Sequence, residues 1–143
     1  MSAFERGGAP RRLVLASASP RRRELLTLLG VPFAVRPVDV DETPPALPPA
    51  ETVLAIALRK LDAALAERAP REIVLVADTI VVIDGEVLGK PENAAEAAAM
   101  LRALRGRGHE VFTAVALAGA GRRTAVVRSE VLIREYTDGE VAA

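Results

Sequence analysis

The sequence predicts an α/β fold with a mixed β-sheet flanked by helices. Three observations carry that expectation. Short apolar runs with strand character alternate with longer segments whose apolar residues recur at helical spacing. Serine-proline, asparagine and glycine signals mark where helices begin and end. An Asp84-Gly85 pair between two apolar runs announces a two-residue hairpin.

Taken in order, Arg12 to Ala16 reads as a short apolar strand. Ser19 then serves as an N-cap and Pro20 as the first helical residue. That helix runs through Leu25, Leu26, Leu28 and Leu29 and stops at Gly30. Phe33 to Val38 is the second strand, and Asp39 to Pro49 is a proline-rich acidic loop. Ala50 to about Arg68 is a long helix whose Leu54, Leu58, Leu61 and Leu65 are expected to face the core. Glu72 to Ala77 is a buried-type strand. Thr79 to Ile83 and Glu86 to Leu88 flank the hairpin signal. Asn93 with Glu96 forms a capping box for a helix over Ala94 to Leu104, ended by Gly106 and Gly108. Val111 to Leu117 and Thr124 to Ile133 are two further strands joined by a Gly119–Arg123 turn. Thr137 and Glu140 form a last capping box, for a helix with room for about one turn, too short to stand alone.

Residues 1–11 read as a flexible tail and 12–143 as one domain, long enough to bury a core. Only 3% of residues are aromatic, so that core must be aliphatic. Nineteen basic residues balance nineteen acidic ones, giving no reason to expect nucleic acid or an acidic membrane as partner. No apolar run is long enough to span a bilayer, the start of the chain lacks a secretory h-region, and a cytoplasmic location is expected. The absence of cysteine excludes disulfides, thiolate metal sites and a cysteine nucleophile. One histidine cannot make a histidine-rich metal site, so any metal must take oxygen ligands, which points to Mg²⁺ or Mn²⁺. Seventeen of the nineteen basic residues are Arg, which singles out Lys60 and Lys90.

Five segments carry chemistry. Ser17-Ala18-Ser19-Pro20-Arg21-Arg22-Arg23 lies between a strand and a helix N-terminus. Backbone N–H groups, two hydroxyls and three guanidiniums suit a phosphate. The plainer account is a capped helix with a solvated basic turn. Three arginines there oppose the helix dipole, and a bound anion would offset that cost. Asp78 interrupts the apolar run from Ile73 to Ile83. A carboxylate there costs on the order of several kcal/mol to bury unless paired or metal-bound. It reads as a functional residue at a strand end, against the plainer role of capping a bend. Asp39 to Thr43, with Glu42, could ligate Mg²⁺ but read alone is a solvated acidic loop. Lys60 flanks the apolar stripe of its helix; read alone it is a snorkelling lysine with Glu67 as a partner. Gly89-Lys90-Pro91 reads equally as a phosphate-reaching loop or a plain one, and His109 as structural. Phosphate donors together with oxygen ligands suit metal-assisted hydrolysis of a phosphoanhydride.

In order along the chain, these segments resemble the Maf family of nucleoside triphosphate pyrophosphatases. The matching stretches are Leu-Ala-Ser-Ala-Ser-Pro-Arg-Arg (15–22), Glu-Leu-Leu (24–26), Leu-Gly (29–30), Val-Asp-Glu-Thr (40–43), Ala-Leu-Arg-Lys (57–60), Ala-Asp-Thr-Ile-Val (77–81), Gly-Lys-Pro (89–91), Met-Leu-Arg-Ala-Leu-Arg-Gly (100–106) and His-Glu-Val-Phe-Thr-Ala-Val (109–115). The resemblance implies an inosine triphosphate pyrophosphatase-like fold, a divalent cation, and cleavage between the α and β phosphates. By the same resemblance Asp78 is the general base or a metal-proximal carboxylate, and Glu42 assists with metal or water. Ser17, Ser19 and Arg22 grip the phosphates, and Lys60 and Lys90 neutralise their charge. Arg21 and Thr79 stand where another branch, similar to 7-methyl-GTP hydrolases, has Trp and Gln. They match the dTTP/UTP branch, with modified pyrimidine nucleotides as further substrates. Homodimerisation is implied in the same way. Family members usually continue past the position of Ala143 into a Gly-Ile-Gln-Gly segment, and this sequence contains no glutamine. The fold is therefore expected to be incomplete at its C-terminus, with sheet surface exposed and the nucleotide pocket partly open. The rival expectations are 7-methyl-GTP as substrate, a nucleotide-binding regulator of cell division without catalysis, and an inactive fragment.

Overall fold

Strand β1 (Arg12–Leu15) runs parallel to β2 (Phe33–Val35) on one side and to β3 (Glu72–Ile83) on the other. The computed structural model describes residues 11–89 and 93–142. β3 continues past the end of β1 and pairs antiparallel with β5 (Gly108–Ala118), which pairs with the edge strand β6 (Arg122–Leu132). The order is β2-β1-β3-β5-β6, with β4 (Glu86–Leu88) folded back on the end of β3. The mixed α/β sheet expected from sequence is therefore observed.

The turn into β4 holds Asp84 at φ 51° and Gly85 at φ 80°. Positive φ at both positions is the geometry that an Asp-Gly pair adopts most easily. Helix α1 (Pro20–Leu28) starts where Ser19 accepts the Arg22 N–H, and Gly30 leaves it at φ 73°. Helix α3 (Ala94–Leu104) has the expected bounds, with the Asn93 side-chain Oδ1 accepting the Glu96 N–H at 2.8 Å. Helix α4 (Asp138–Ala142) has only five residues. It is held against α3 by tertiary partners: Arg105 donates to Asp138 at 2.5 Å and Tyr136 donates to the Leu101 carbonyl.

Three expectations need correction. β2 stops at Val35; the Arg36 N–H still donates to the Leu15 carbonyl at 2.9 Å while its side chain grips Glu72. The two strands expected around Asp78 are one strand of 12 residues, since β5 pairs with β3 without a break from Val74 to Val82. Asp78 therefore lies within a strand and is not at its end. Helix α2 (Pro49–Leu65) buries Val53, Ile56, Ala57, Leu61 and Ala64, while Leu54, Leu58 and Leu65 only edge the core. Alanines on the contact line let α2 approach the sheet closely, and the leucines fill its margins.

Side chains alternate along β3 and β5. Val74, Val76, Ile80, Val82, Phe112, Ala114 and Ala116 point to α2 and form the core with it. The opposite face carries Leu75, Ala77, Thr79, Thr113 and Val115, and Val115 is exposed. Helix α1 stands beside that second face with no buried residue, and Leu25, Leu28 and Leu29 are exposed.

Candidate active site

The segment after β1 crosses from the core to the surface in a few residues. Leu15, Ala16 and Ser17 are buried, and Pro20 starts α1. Ser17 Oγ accepts the Ser19 N–H at 3.1 Å and an Arg22 guanidinium N–H at 3.5 Å. Arg22 also donates to Thr79 Oγ1 at 3.4 Å. Both guanidinium bonds are long, which leaves Arg22 positioned yet with donor capacity to spare for an anion. The loop is thus tied to β3 through Arg22, which sequence reading could not reveal.

On the α2 side, Lys60 Nζ lies 2.8 Å from Glu42 Oε1 and 2.9 Å from Asp78 Oδ1. Lys60 and Asp78 side chains are 12% and 8% exposed, so the ammonium has little contact with water and needs these partners. The Glu67 partner considered for Lys60 is replaced by these two carboxylates. Glu42 is presented by a loop that α2 itself clamps. Arg59 donates to the carbonyls of Asp41 and Thr43 at 2.9 and 2.8 Å. Asp41 accepts the Thr43 N–H and hydroxyl, closing a tight turn around Glu42, and the Thr43 bonds hold the Asp41 carboxyl below its usual range. The acidic loop is therefore ordered on α2, and Arg59 was not singled out from sequence. Its adjacency to Lys60 was the available signal.

Two cavities meet at the Ser17–Arg22 loop. The smaller, about 110 Å³, is lined by residues 16–19 and by Arg22, Val38, Glu42 and Lys60, among others. The larger, about 490 Å³, lies on the open face of the sheet. Its polar rim is Ser19, Arg21, Arg22, Thr79 and Thr113, and its walls are Leu25, Leu26, Leu75 and Val115. Ser19 and Arg22 belong to both. Asp78 lines neither cavity and sits behind Lys60. Asp78 and Thr79 are neighbours in β3, yet alternation sends them to opposite faces. The structure thus gathers Ser17, Ser19, Arg22, Glu42, Lys60 and Asp78 into one cluster and puts Arg21 and Thr79 on the second cavity. Lys90 lies outside the described residues. Thr113, 3.1 Å from Thr79 across the sheet, was missed because only strand register reveals it.

Among the described residues no group of three or more His, Asp or Glu could hold a metal ion by itself. The pair Glu42 and Asp78 nevertheless offers the hard oxygen donors that suit Mg²⁺ or Mn²⁺ when phosphate oxygens and water complete the shell.

The fold and cluster define an α/β protein with an arginine- and hydroxyl-bearing loop after β1, the strand that runs parallel to both its neighbours. A family profile described as Maf-like protein matches residues 12–143. The chain belongs to that family. It is 50% identical over 130 residues to a dTTP/UTP pyrophosphatase of Myxococcus xanthus, covering 91% of this chain and 66% of that protein. It is 53% identical over 134 residues to a protein of the same name from Thermomicrobium roseum, covering 92% of this chain and 61% of that one. The chain thus spans slightly under two thirds of these relatives. The Ham1 protein of Staphylococcus aureus shares the fold, with a TM-score of 0.56 at 19% identity over 85% of this chain and 70% of that one. Among the described residues no helix is long and apolar enough to cross a membrane.

Proposed function

We propose that this chain carries the phosphate grip and base pocket of a pyrophosphatase acting on dTTP and UTP in the cytoplasm. The observation that carries this reading is the loop shared by two unlike cavities. A polar chamber with Lys60 and Arg22 suits phosphates, and a larger chamber with apolar walls and a hydroxyl rim suits a base and sugar. The names of the relatives from Myxococcus and Thermomicrobium support the same substrates.

In this reading Ser17, Ser19 and Arg22 bind phosphate oxygens, and Lys60 neutralises charge as it develops. Water attacks the α-phosphorus and the bond to the β-phosphate oxygen breaks, giving a monophosphate and pyrophosphate. The proton of the attacking water passes to Asp78. Substrate phosphates compete with Asp78 and Glu42 for Lys60, so binding frees the carboxylate that must act as base. A divalent cation held by Glu42 and Asp78 would supply further charge neutralisation on the phosphates. Lys90 is assigned the same neutralising role. Arg21 and Thr79 face the base.

The test is pyrophosphate release with Mg²⁺ or Mn²⁺ and each of dTTP, UTP, CTP and 7-methyl-GTP. Release from dTTP and UTP is expected. Release from 7-methyl-GTP alone would overturn the substrate assignment. Tight dTTP binding by folded protein with no turnover would favour a nucleotide-binding role, for which the seclusion of Asp78 behind Lys60 is the supporting observation.

A further inference from the structure

We infer that Thr113 is a specificity-positioning residue, which orients the Thr79 hydroxyl as a donor toward a carbonyl oxygen of a pyrimidine base. The inference rests on the pyrimidine triphosphate reading above and deepens it. Thr79 and Thr113 are directly opposite residues of β3 and β5, with hydroxyl oxygens 3.1 Å apart. Both line the larger cavity, on a face otherwise apolar at Leu75, Ala77 and Val115. Two adjacent hydroxyls on that strip are not required by the sheet, which accepts Val at either position equally well.

Their hydrogen bonds can be counted. A threonine hydroxyl has one hydrogen and two acceptor sites. Arg22 already donates into one acceptor site of Thr79. An oxygen that accepts from a cation becomes a stronger donor through its own hydrogen. With a carbonyl in the cavity, Thr79 gives its hydrogen to that carbonyl, and Thr113 donates into the remaining acceptor site. Thr79 then has no acceptor site left for the ligand. A 4-keto pyrimidine finds a donor there, whereas a 4-amino pyrimidine meets hydrogen against hydrogen. Without the Thr113 hydroxyl, Thr79 regains a free acceptor site and can serve either base. Discrimination then weakens.

The test compares kcat and KM for UTP and CTP, which differ at that position, in wild type, Thr113→Val and Thr113→Ser. Valine keeps the shape and strand preference of threonine, and a thermal melt of each variant confirms folding. The UTP-to-CTP ratio of kcat/KM is expected to fall roughly fivefold to tenfold in Thr113→Val, as for a lost neutral hydrogen bond. The change should fall mainly on KM, and Thr113→Ser should restore the ratio. An unchanged ratio in a Thr113→Val enzyme that still turns over UTP overturns the inference, as does failure of serine to restore it. Wild-type protein that hydrolyses neither UTP nor dTTP would instead remove the underlying substrate reading.

Discussion

On one face of the sheet, α2 covers β3 and β5 so closely that Val53, Ala57, Leu61, Val74 and Ala114 are fully buried. On the other, no residue of α1 is buried, Leu28 is 82% exposed and Val127 of β6 is 59% exposed. The chemistry is divided in the same way. Lys60, Asp78 and Glu42 are fixed by ion pairs against the packed face, whereas Arg21, Thr79 and Thr113 line a wide cavity on the open one. A reacting group gains from rigid placement, because small misplacements are costly in rate. A base pocket has to admit its ligand. On the proposed function, the difference between the faces is that between positioning a reaction and receiving a substrate.

The division is broken most sharply at Asp78. Asp78→Asn should lower pyrophosphate release by about 10²–10⁴-fold, the usual contribution of a positioned base. Affinity for dTTP, measured by calorimetry without metal, should hold or rise modestly, since the lost charge no longer competes with the phosphates for Lys60. Unchanged turnover would reduce Asp78 to a structural partner of Lys60.

The packing contrast is sharpened by a pair of leucines. Leu61→Ala removes a fully buried side chain and should cost about 2–5 kcal/mol in urea unfolding. Leu28→Ala should stay within about 0.5 kcal/mol. Equal losses at both would show that the α1 face is covered in solution.

Local signals in the sequence survive in the structure where the chemistry is local. Ser19 and Asn93 cap their helices, and Asp84-Gly85 makes its turn, because each acts within three or four residues. Leucine spacing marks α2 as amphipathic and Leu61 is fully buried as expected, but Leu54, Leu58 and Leu65 pack at the margin of a stripe that also holds Val53, Ala57 and Ala64. Periodicity gives the width of an apolar face, whereas the partner sheet decides which residues lie at closest approach. Ser17, Ser19, Arg22, Glu42, Lys60 and Asp78 are legible as a set through the family resemblance, whereas read alone Glu42 lies in a solvated loop and Lys60 is a snorkelling lysine. That Asp78 lies mid-strand, that Arg59 holds the Glu42 turn, and that Thr113 meets Thr79 follow from pairing between distant segments.

An effect that depends on pH is expected at the far end of the packed face. Glu72 is nearly fully buried where β3 begins. Its carboxylate accepts two guanidinium bonds from Arg36, at 2.8 and 2.9 Å, and the Ala69 N–H. The Arg36 bonds first, and the Ala69 bond after them, lower its pKa from 4.5 to about 2. A carboxyl whose folded pKa lies below its unfolded value stabilises the fold while it is ionised. That contribution is complete above about pH 4.5 and is lost as pH falls towards 2. In Glu72→Gln it is missing at every pH. The melting temperature of wild type should therefore exceed that of the variant by a constant margin above about pH 5, narrowing steadily between pH 4.5 and pH 2. Asp41, Asp138 and Glu140 also carry lowered pKa values, but both proteins contain them, so the subtraction removes their share. A margin that stays flat down to pH 2 would mean that the Arg36–Glu72 pair orients β2 against β3 without adding acid-sensitive stability.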